Sequence, residues 1–380
     1  MTMLLWLLLA APGLLALAMT VINAVTWPRG HAPADARSAT MAPESVAVLI
    51  PARDEAAGIE VAVRSALAQG VGEVVVFDDQ STDATPQILA TLGREHDRLR
   101  VIPGTDLPPD WIGKPHACHR LAAASRGELL LFVDADVELA SDGVARILEL
   151  FERFDADAVT AVPRQMMGTF AERLVLPLLH VTYVSWLPAV LVHRSSDPRF
   201  LAANGQILAV KRSAFETAGG FEAVRDAVVD DMAICRRLKE TGARVVFADG
   251  HDIARCRMYR GARELWSGFS KNIFEGVGSG AGLAIAALLF LATFVFPWAA
   301  LPASLAFPSL FAPAAAGVAA NLAQRLLLAA RHRQPPETIP LHPLAVLVLL
   351  AIAANSYRWH LRGATVWSGR SYGRKETRRG

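Results

Sequence analysis

Two uninterrupted apolar runs, Val74–Phe77 and Leu129–Val133, each lead directly into aspartates. Asp78-Asp79 follows the first and Asp134-Ala135-Asp136 the second. A short run that is apolar at every residue reads as a strand covered on both faces, the condition of a parallel sheet. Val46–Ile50 reads as an earlier strand, followed by the loop Pro51-Ala52-Arg53-Asp54-Glu55 and a helix over Gly58–Ala68. A further helix is expected over Asp83–Leu92, with Ser81 or Thr82 as its cap. Strands alternating with helices at this spacing give βαβ units, hence an α/β domain on a Rossmann-like, mostly parallel sheet. Carboxylates at the carboxyl ends of such strands face the crevice where open sheets of this kind bind ligands.

Carboxylates packed this densely repel one another unless a cation or a ligand proton compensates. A capped turn explains one hydroxyl and one acid of Asp78–Asp83, but not three aspartates in so short a stretch. A ribose or uracil-type ligand would use them, since carboxylates accept from hydroxyl and imide groups. Asp134 and Asp136 are two apart, so on an extended strand end both carboxylates point the same way. Such a pair suits Mg2+ or Mn2+, a hard cation that keeps waters and phosphate oxygens as its other ligands. A lone D-x-D is a weak signal; one directly after a buried strand, one βαβ unit beyond another acidic strand end, is much stronger. A third pair, Asp230-Asp231, opens a helix over Met232–Lys239. Acids there complement the helix dipole, which is the simple reading. The functional reading makes one of them, preferably Asp231, a general base that deprotonates an acceptor hydroxyl.

Other segments support this core. Trp111-Ile112-Gly113-Lys114-Pro115 precedes a helix over His116–Ala124, and Lys114 is a candidate phosphate contact. His116 and His119 lack a third metal ligand nearby and read as packing residues. Ala203–Arg212, with its Gly205 turn, and Gly219-Gly220-Phe221 suit either a close-backbone wall for an acceptor or an ordinary hairpin. Arg255, Arg257, Tyr259, Arg260 and Arg263 follow a last strand over Arg244–Ala248. Guanidinium groups there suit a leaving diphosphate, although basic and aromatic residues also anchor membrane edges. Cys118, Cys235 and Cys256 have no paired metal-ligand spacing and read as free thiols on a reducing side.

With 53% hydrophobic and 19% charged residues, and the excess gathered in blocks, the chain reads as a membrane protein. Residues 1–28 carry no charged side chain and exceed the ~20 residues that span a bilayer, making one N-terminal transmembrane helix. A cleaved signal peptide is the rival, without the expected basic start. Residues 276–357 offer two to three C-terminal helices: Gly276–Gln324 as two spans broken near Pro302–Pro308, and Ile339–Tyr357 as a third span or a re-entrant hairpin. Arg29 and Arg37 after the first span, and Arg325, Arg331 and Arg333 after the next two, put the middle of the chain on the cytoplasmic side. Residues 358–380 form a basic tail. Residues 174–192 form a largely apolar stretch that holds only His180 as a group titrating near neutral pH. A single crossing there would separate Asp136 from Asp231, so the segment is expected to lie in the interface, to re-enter, or to fold as a buried hairpin.

Taken together, Val48–Glu55, Asp78–Asp83, Asp134–Asp136 and Asp230-Asp231 resemble the membrane-bound inverting glycosyltransferases of family 2, which have the GT-A fold. The resemblance covers roughly residues 45–275. Trp111–Lys114, Arg257-Met258-Tyr259-Arg260 and Trp367–Tyr372 further resemble the bacterial hopanoid- and carotenoid-associated members. The resemblance implies that Pro51, Arg53 and Glu55 border the nucleotide and that Asp79 contacts the nucleoside. It also implies that Asp136 ligates the metal, that Asp134 faces the sugar or ribose beside it, and that Asp231 is the base with Asp230 as its partner. Lys114, Arg257 and Arg260 join them on the donor. Two departures matter: Asp230 stands where glutamate is more usual, and the Gln-x-x-Arg-Trp motif of processive synthases is absent, which favours a single transfer. The expected protein is thus a multi-pass enzyme of a bacterial-type inner (plasma) membrane with a cytoplasmic catalytic domain. It would take a nucleotide-sugar donor and a polyisoprenoid-type lipid acceptor; no nucleic acid is expected as a partner. A metal-dependent nucleotidyltransferase and a non-catalytic membrane scaffold are the alternatives. No Gly-x-Gly-x-x-Gly follows the first strand, which speaks against a dinucleotide-dependent oxidoreductase.

Overall fold

The computed structural model describes residues 2–32, 41–362, 365–367 and 370–372. These divide into two compact units. One takes the described residues of Trp27–Met166 and Ala189–Met258; the other those of Met1–Thr26, Met167–Pro188 and Tyr259–Gly380.

The first unit is built on an eight-stranded sheet, in chain order β1 (Val46–Ala52), β2 (Glu73–Asp78), β3 (Leu99–Pro103), β4 (Leu129–Val133), β5 (Val137–Leu139), β6 (Ala158–Gln165), β7 (Ile207–Lys211) and β8 (Val245–Cys256). Their spatial order is β3-β2-β1-β4-β7-β6-β8-β5. The first half is parallel, as expected: β1 pairs with β2 and β4, and β2 with β3. The second half is mixed: β6 pairs parallel with β8, so four of the seven pairings are parallel, and three are antiparallel. There β7 runs antiparallel to both β4 and β6, and β5 antiparallel to β8. The cause is connectivity. No crossover helix joins β4 to β5, and β7 returns to the sheet from short helices and a loop, so neither strand has the βαβ link that enforces parallel pairing. Alternate residues of the apolar runs enter separate cores on the two faces: Val46, Val48 and Ile50 in one, Ala47 and Leu49 in the other. Burying each large aliphatic side chain contributes about 1.5–3 kcal/mol. Helices Ile59–Leu67, Thr85–Glu95, Gly113–Ala124, Gly143–Phe154 and Asp230–Glu240 flank the strands. Arg29, expected as a loop cation, is tied to Asp249 of β8 at 2.6 Å.

The second unit is helical. Thr2–Leu9 and Ala11–Thr26 meet at a 47° bend, and Ala262–Val277 and Gly280–Phe294 at 111°. Among the described residues, Pro336–Arg362 is the one stretch long and apolar enough to cross a membrane, or there are up to three if each bent pair is a span. The expected two spans of Gly276–Gln324 become Gly280–Phe294, Phe296–Ala303 and Phe311–His332. Pro297 opens the second of these, and Gly278 takes φ 78° at the end of the helix before Gly280. Ile339–Tyr357 lies in a continuous helical stretch, not a hairpin. Leu174–Val192 falls on three short helices, Phe170–Val175, Pro177–Val184 and Val190–Arg194, the last of which belongs to the first unit. Arg325, expected in a loop, lies buried within the Phe311–His332 helix. Arg37, Ser368, Gly369 and the tail beyond Tyr372 lie outside the described residues.

Candidate active site

Because β7 runs antiparallel to β4, its amino end meets the carboxyl end of β4: Val133 faces Ile207, and the Asp134 amide donates to the Gln206 carbonyl at 3.1 Å. That register brings the Gly205 turn beside the first aspartate of the D-x-D. Pro51 from the end of β1, Phe132 from β4 with Asp134 just after it, and Leu208 from β7 with Gly205 just before it border a shared cleft. Phe221 and two helix starts complete it, supplying Lys114 with Cys118, and Asp230 with Asp231. Lys114 and Cys118 are one helical turn apart and so share a face. A side chain at Gly205 would press on two of these groups. A methyl group there would lie 3.3 Å from both Lys114 Nζ and Asp231 Cβ.

The charges in the cleft are coupled. Lys114 Nζ lies 2.6 Å from Asp134 Oδ1 and also donates to the Gly205 carbonyl at 3.4 Å. Burial works against the ammonium, but Asp134 and Asp230 outweigh it and raise its pKa, so it stays charged. Burial raises Asp230 to about 6, opposed by Lys114 and reinforced by Asp231. Asp231 is also raised by burial, against Lys114 and the backbone amides of Met232 and Gly205. The Met232 amide donates to Asp231 Oδ1 at 2.8 Å. Burial, together with Asp230, keeps Cys118 a neutral thiol.

The D-x-D differs from its expected shape. Asp134–Asp136 is a turn closed by the Val137 amide donating to the Asp134 carbonyl at 3.0 Å, because the chain must swing away to pair β5 with β8. The two carboxylates therefore engage different neighbours: Asp134 takes Lys114, while Asp136 accepts from the Cys256 thiol. Cys256 Sγ accepts in turn from Gln206 Nε2 at 2.7 Å, and Gln206 Oε1 from Gln165 at 2.8 Å. This buried chain was not evident in the sequence. Asp136 Oδ1 is buried without a hydrogen-bond partner, and burial, then Asp134, raises that carboxyl to about 6. Glu55 lies in the same electrostatic neighbourhood, held at about 8 by burial and then by Asp136, Asp134 and Asp83. The Pro51–Glu55 loop and the D-x-D turn are brought together at Gly58, where a methyl group would come 2.9 Å from the Ala135 carbonyl oxygen.

The remaining expected residues lie around this core. Asp79, 2% exposed, sits at the end of β2. Arg53 donates to its carbonyl at 2.6 Å and approaches its carboxylate at 3.9 Å. Asp83, rather than Ser81 or Thr82, caps the next helix, accepting from the Thr85 amide at 2.9 Å. Ser81 and Thr82 instead bind the backbone and side chain of Asp54. The Arg257 amide donates to the Asp136 carbonyl at 3.4 Å. Arg255 is occupied by Glu138 at 2.6 Å, and Arg260 belongs to the helical unit. His116 and His119 pack on Trp111, with ring centroids 5.6 and 5.0 Å away. Among the described residues no three His, Cys, Asp or Glu side chains gather as a metal cage.

Residues 47–208 match the family model "Glycosyl transferase family 2". The matched stretch is similar to that family. It contains the ends of β1 and β4, the D-x-D, Lys114 and the Gly205 turn; the match stops short of Asp230-Asp231. The chain is 28% identical over 209 residues to the beta-monoglucosyldiacylglycerol synthase of Nostoc sp., covering 51% of this chain and 41% of that one. It is 23% identical over 240 residues to the 4,4'-diaponeurosporenoate glycosyltransferase of Staphylococcus haemolyticus, covering 62% and 63%. The chain thus spans from about two-fifths to under two-thirds of the curated relatives it matches. Among solved structures, the mannosyltransferase PcManGT of Pyrobaculum calidifontis, in complex with GDP-Man and Mn2+, aligns over 92% of this chain and 99% of its own at 21% identity. Its TM-score of 0.54 indicates a shared GT-A-like mixed-sheet fold.

Proposed function

We propose that this chain is a metal-assisted glycosyltransferase. It moves a single sugar, with inversion, from a nucleotide-diphosphate donor to a membrane lipid of polyisoprenoid type. One observation carries the reading: Asp134, Asp230, Asp231 and Lys114 border the same cleft at the carboxyl end of β4. The family 2 match supports glycosyl transfer over nucleotidyl transfer. The names of the two curated relatives support a lipid acceptor. The helical unit supports a membrane location, since Leu15, Ile285, Leu288 and Leu305 are exposed.

Asp231 serves as the base. Burial raises its pKa, which favours proton uptake from an acceptor hydroxyl near neutral pH. Asp230, raised to about 6, holds a second charge behind it. Lys114 keeps the cleft compatible with several carboxylates and stands where a donor phosphate would meet it. Arg53 and Asp79 border the nucleoside with Pro51 and Glu55, and Arg257 is assigned to the leaving diphosphate. The residues fit a divalent cation: Asp136 has a buried oxygen without a partner, and Asp134 is beside it. Two carboxylates plus donor phosphates are what Mg2+ or Mn2+ requires. When bound, that ion would stabilise the charge growing on the departing diphosphate. The catalytic domain lies on the cytoplasmic side of a bacterial-type inner membrane.

Membranes containing the full chain, incubated with labelled nucleotide sugars, test the proposal. Label should pass to the lipid fraction with release of a nucleoside diphosphate. Asp231→Asn should lower transfer by about 10²–10⁴, and EDTA should abolish it. Undiminished transfer by the Asp231→Asn protein refutes the base, full activity in EDTA refutes the metal, and released pyrophosphate refutes glycosyl transfer.

A further inference from the structure

Within the helical unit, a positive charge is buried without a carboxylate partner among the described residues. Arg325 is 1% exposed on the Phe311–His332 helix. One guanidinium nitrogen donates to Gln334 Oε1 at 3.1 Å, and Nε has no hydrogen-bond partner. Four carboxylates occur among the described residues of this unit, and all four are engaged elsewhere. Glu172 accepts from Thr169 Oγ1 at 2.7 Å, and Glu337 pairs with Arg173 at 2.6 Å. Glu264 accepts from the Arg260 amide at 2.7 Å, and Glu275 meets His360 at 3.1 Å. His342 is also 1% exposed, and neither ring nitrogen has a hydrogen-bond partner. It packs edge-on against Phe294 and lies within electrostatic range of Arg325. Gln334 links the pair to His180, whose Nδ1 is 3.2 Å from Gln334 Nε2.

An arginine does not shed its proton to escape burial. A desolvated guanidinium without a counter-charge is strongly unfavourable, and ionisable groups inside apolar helical units mark ligand sites. The guanidinium fork favours a planar pair of oxygens, as phosphate supplies. The geometry points to Arg325 and His342, with Gln334, as the anchor of a second site, inside the helical unit, that binds a phosphate-class oxyanion. This site is independent of the transfer proposed above. The group can come from a lipid headgroup or from free phosphate. The apolar exterior of the unit favours the lipid.

The test follows thermal unfolding of the full chain by tryptophan fluorescence after delipidation in a non-ionic, phosphate-free detergent. Phosphatidylglycerol, inorganic phosphate and uncharged diacylglycerol are added separately. Phosphatidylglycerol at a hundredfold excess over its Kd should raise Tm by about 5 °C. Arg325→Gln should remove the shift and Arg325→Lys should retain part of it. A shift with phosphatidylglycerol alone identifies a lipid as the occupant; one with inorganic phosphate as well identifies the oxyanion itself. No shift in the wild-type protein, an equal shift with diacylglycerol, or an undiminished shift in Arg325→Gln overturns the inference. If Arg325→Gln does not fold, His342→Gln takes its place in the comparison, under the same criteria. Transfer activity is not read, so failure here leaves the proposed reaction untouched.

Discussion

Replacing Lys114 with methionine removes the ammonium that faces Asp134, Asp230 and Asp231. A methyl group on Gly205 would lie 3.3 Å from Lys114 Nζ and 3.4 Å from the Asp231 carboxyl carbon. The ammonium and that carbon are therefore at most about 6.7 Å apart. At an effective dielectric constant near 20, opposite unit charges at about 6.7 Å attract by about 2.5 kcal/mol. At about 1.4 kcal/mol per pH unit, this is somewhat under 2 units. Burial, the largest influence on Asp231, then acts with less opposition and its pKa rises further. A base is active only when deprotonated, so activity is lost as pH falls through that pKa. The acid limb of kcat/KM, which reports the coupled Asp230–Asp231 pair, should move up by about one to two pH units in Lys114→Met. Lys114→Arg keeps the charge and should keep the limb in place, even where the absolute rate falls. The assay is kcat/KM for sugar transfer by the full chain between about pH 5 and 9. A limb in Lys114→Met within about 0.3 unit of wild type, roughly the error of such profiles, would refute the coupling.

Glu55→Gln tests the crowding around the D-x-D. Glu55 is raised from 4.5 to about 8, so its protonated form supports the fold fully below pH 4.5, and that support is lost as pH rises through about 8. The glutamine stays neutral throughout and should raise Tm above pH 8 in metal-free buffer. The ceiling is about 5 kcal/mol, lowered by solvent screening; the same Tm difference from wild type at pH 5 and pH 8.5 would contradict this. Gly205→Val places carbon between Lys114 and Asp231 and should eliminate transfer while circular dichroism is unchanged; wild-type rates would show that the cleft is not used. Asp136→Asn should weaken Mn2+ binding measured by electron paramagnetic resonance, and unchanged affinity would remove Asp136 from the ion's coordination.

The amino-acid sequence by itself determined the strands β1, β2 and β4, because a run buried on both faces leaves no polar position to obscure it. It also marked Asp134, Asp230 and Asp231, since acids at strand ends and helix starts have few structural reasons to cluster. The charge-free blocks were equally legible, as composition alone makes them apolar. Tertiary structure decided the rest. Asp134 meets Gly205, Lys114 and Cys118 only because β7 enters antiparallel beside β4, a pairing between residues far apart in the chain. The D-x-D turns instead of extending because β5 must reach β8, and Asp136 is held by Cys256 from that distant strand. Helix breaks at Gly278 and Val295, and the burial of Arg325, likewise depend on what packs alongside. Local pattern encodes which face of an element seeks cover; which partner provides it is a long-range choice, made by the free energy of the whole assembled core.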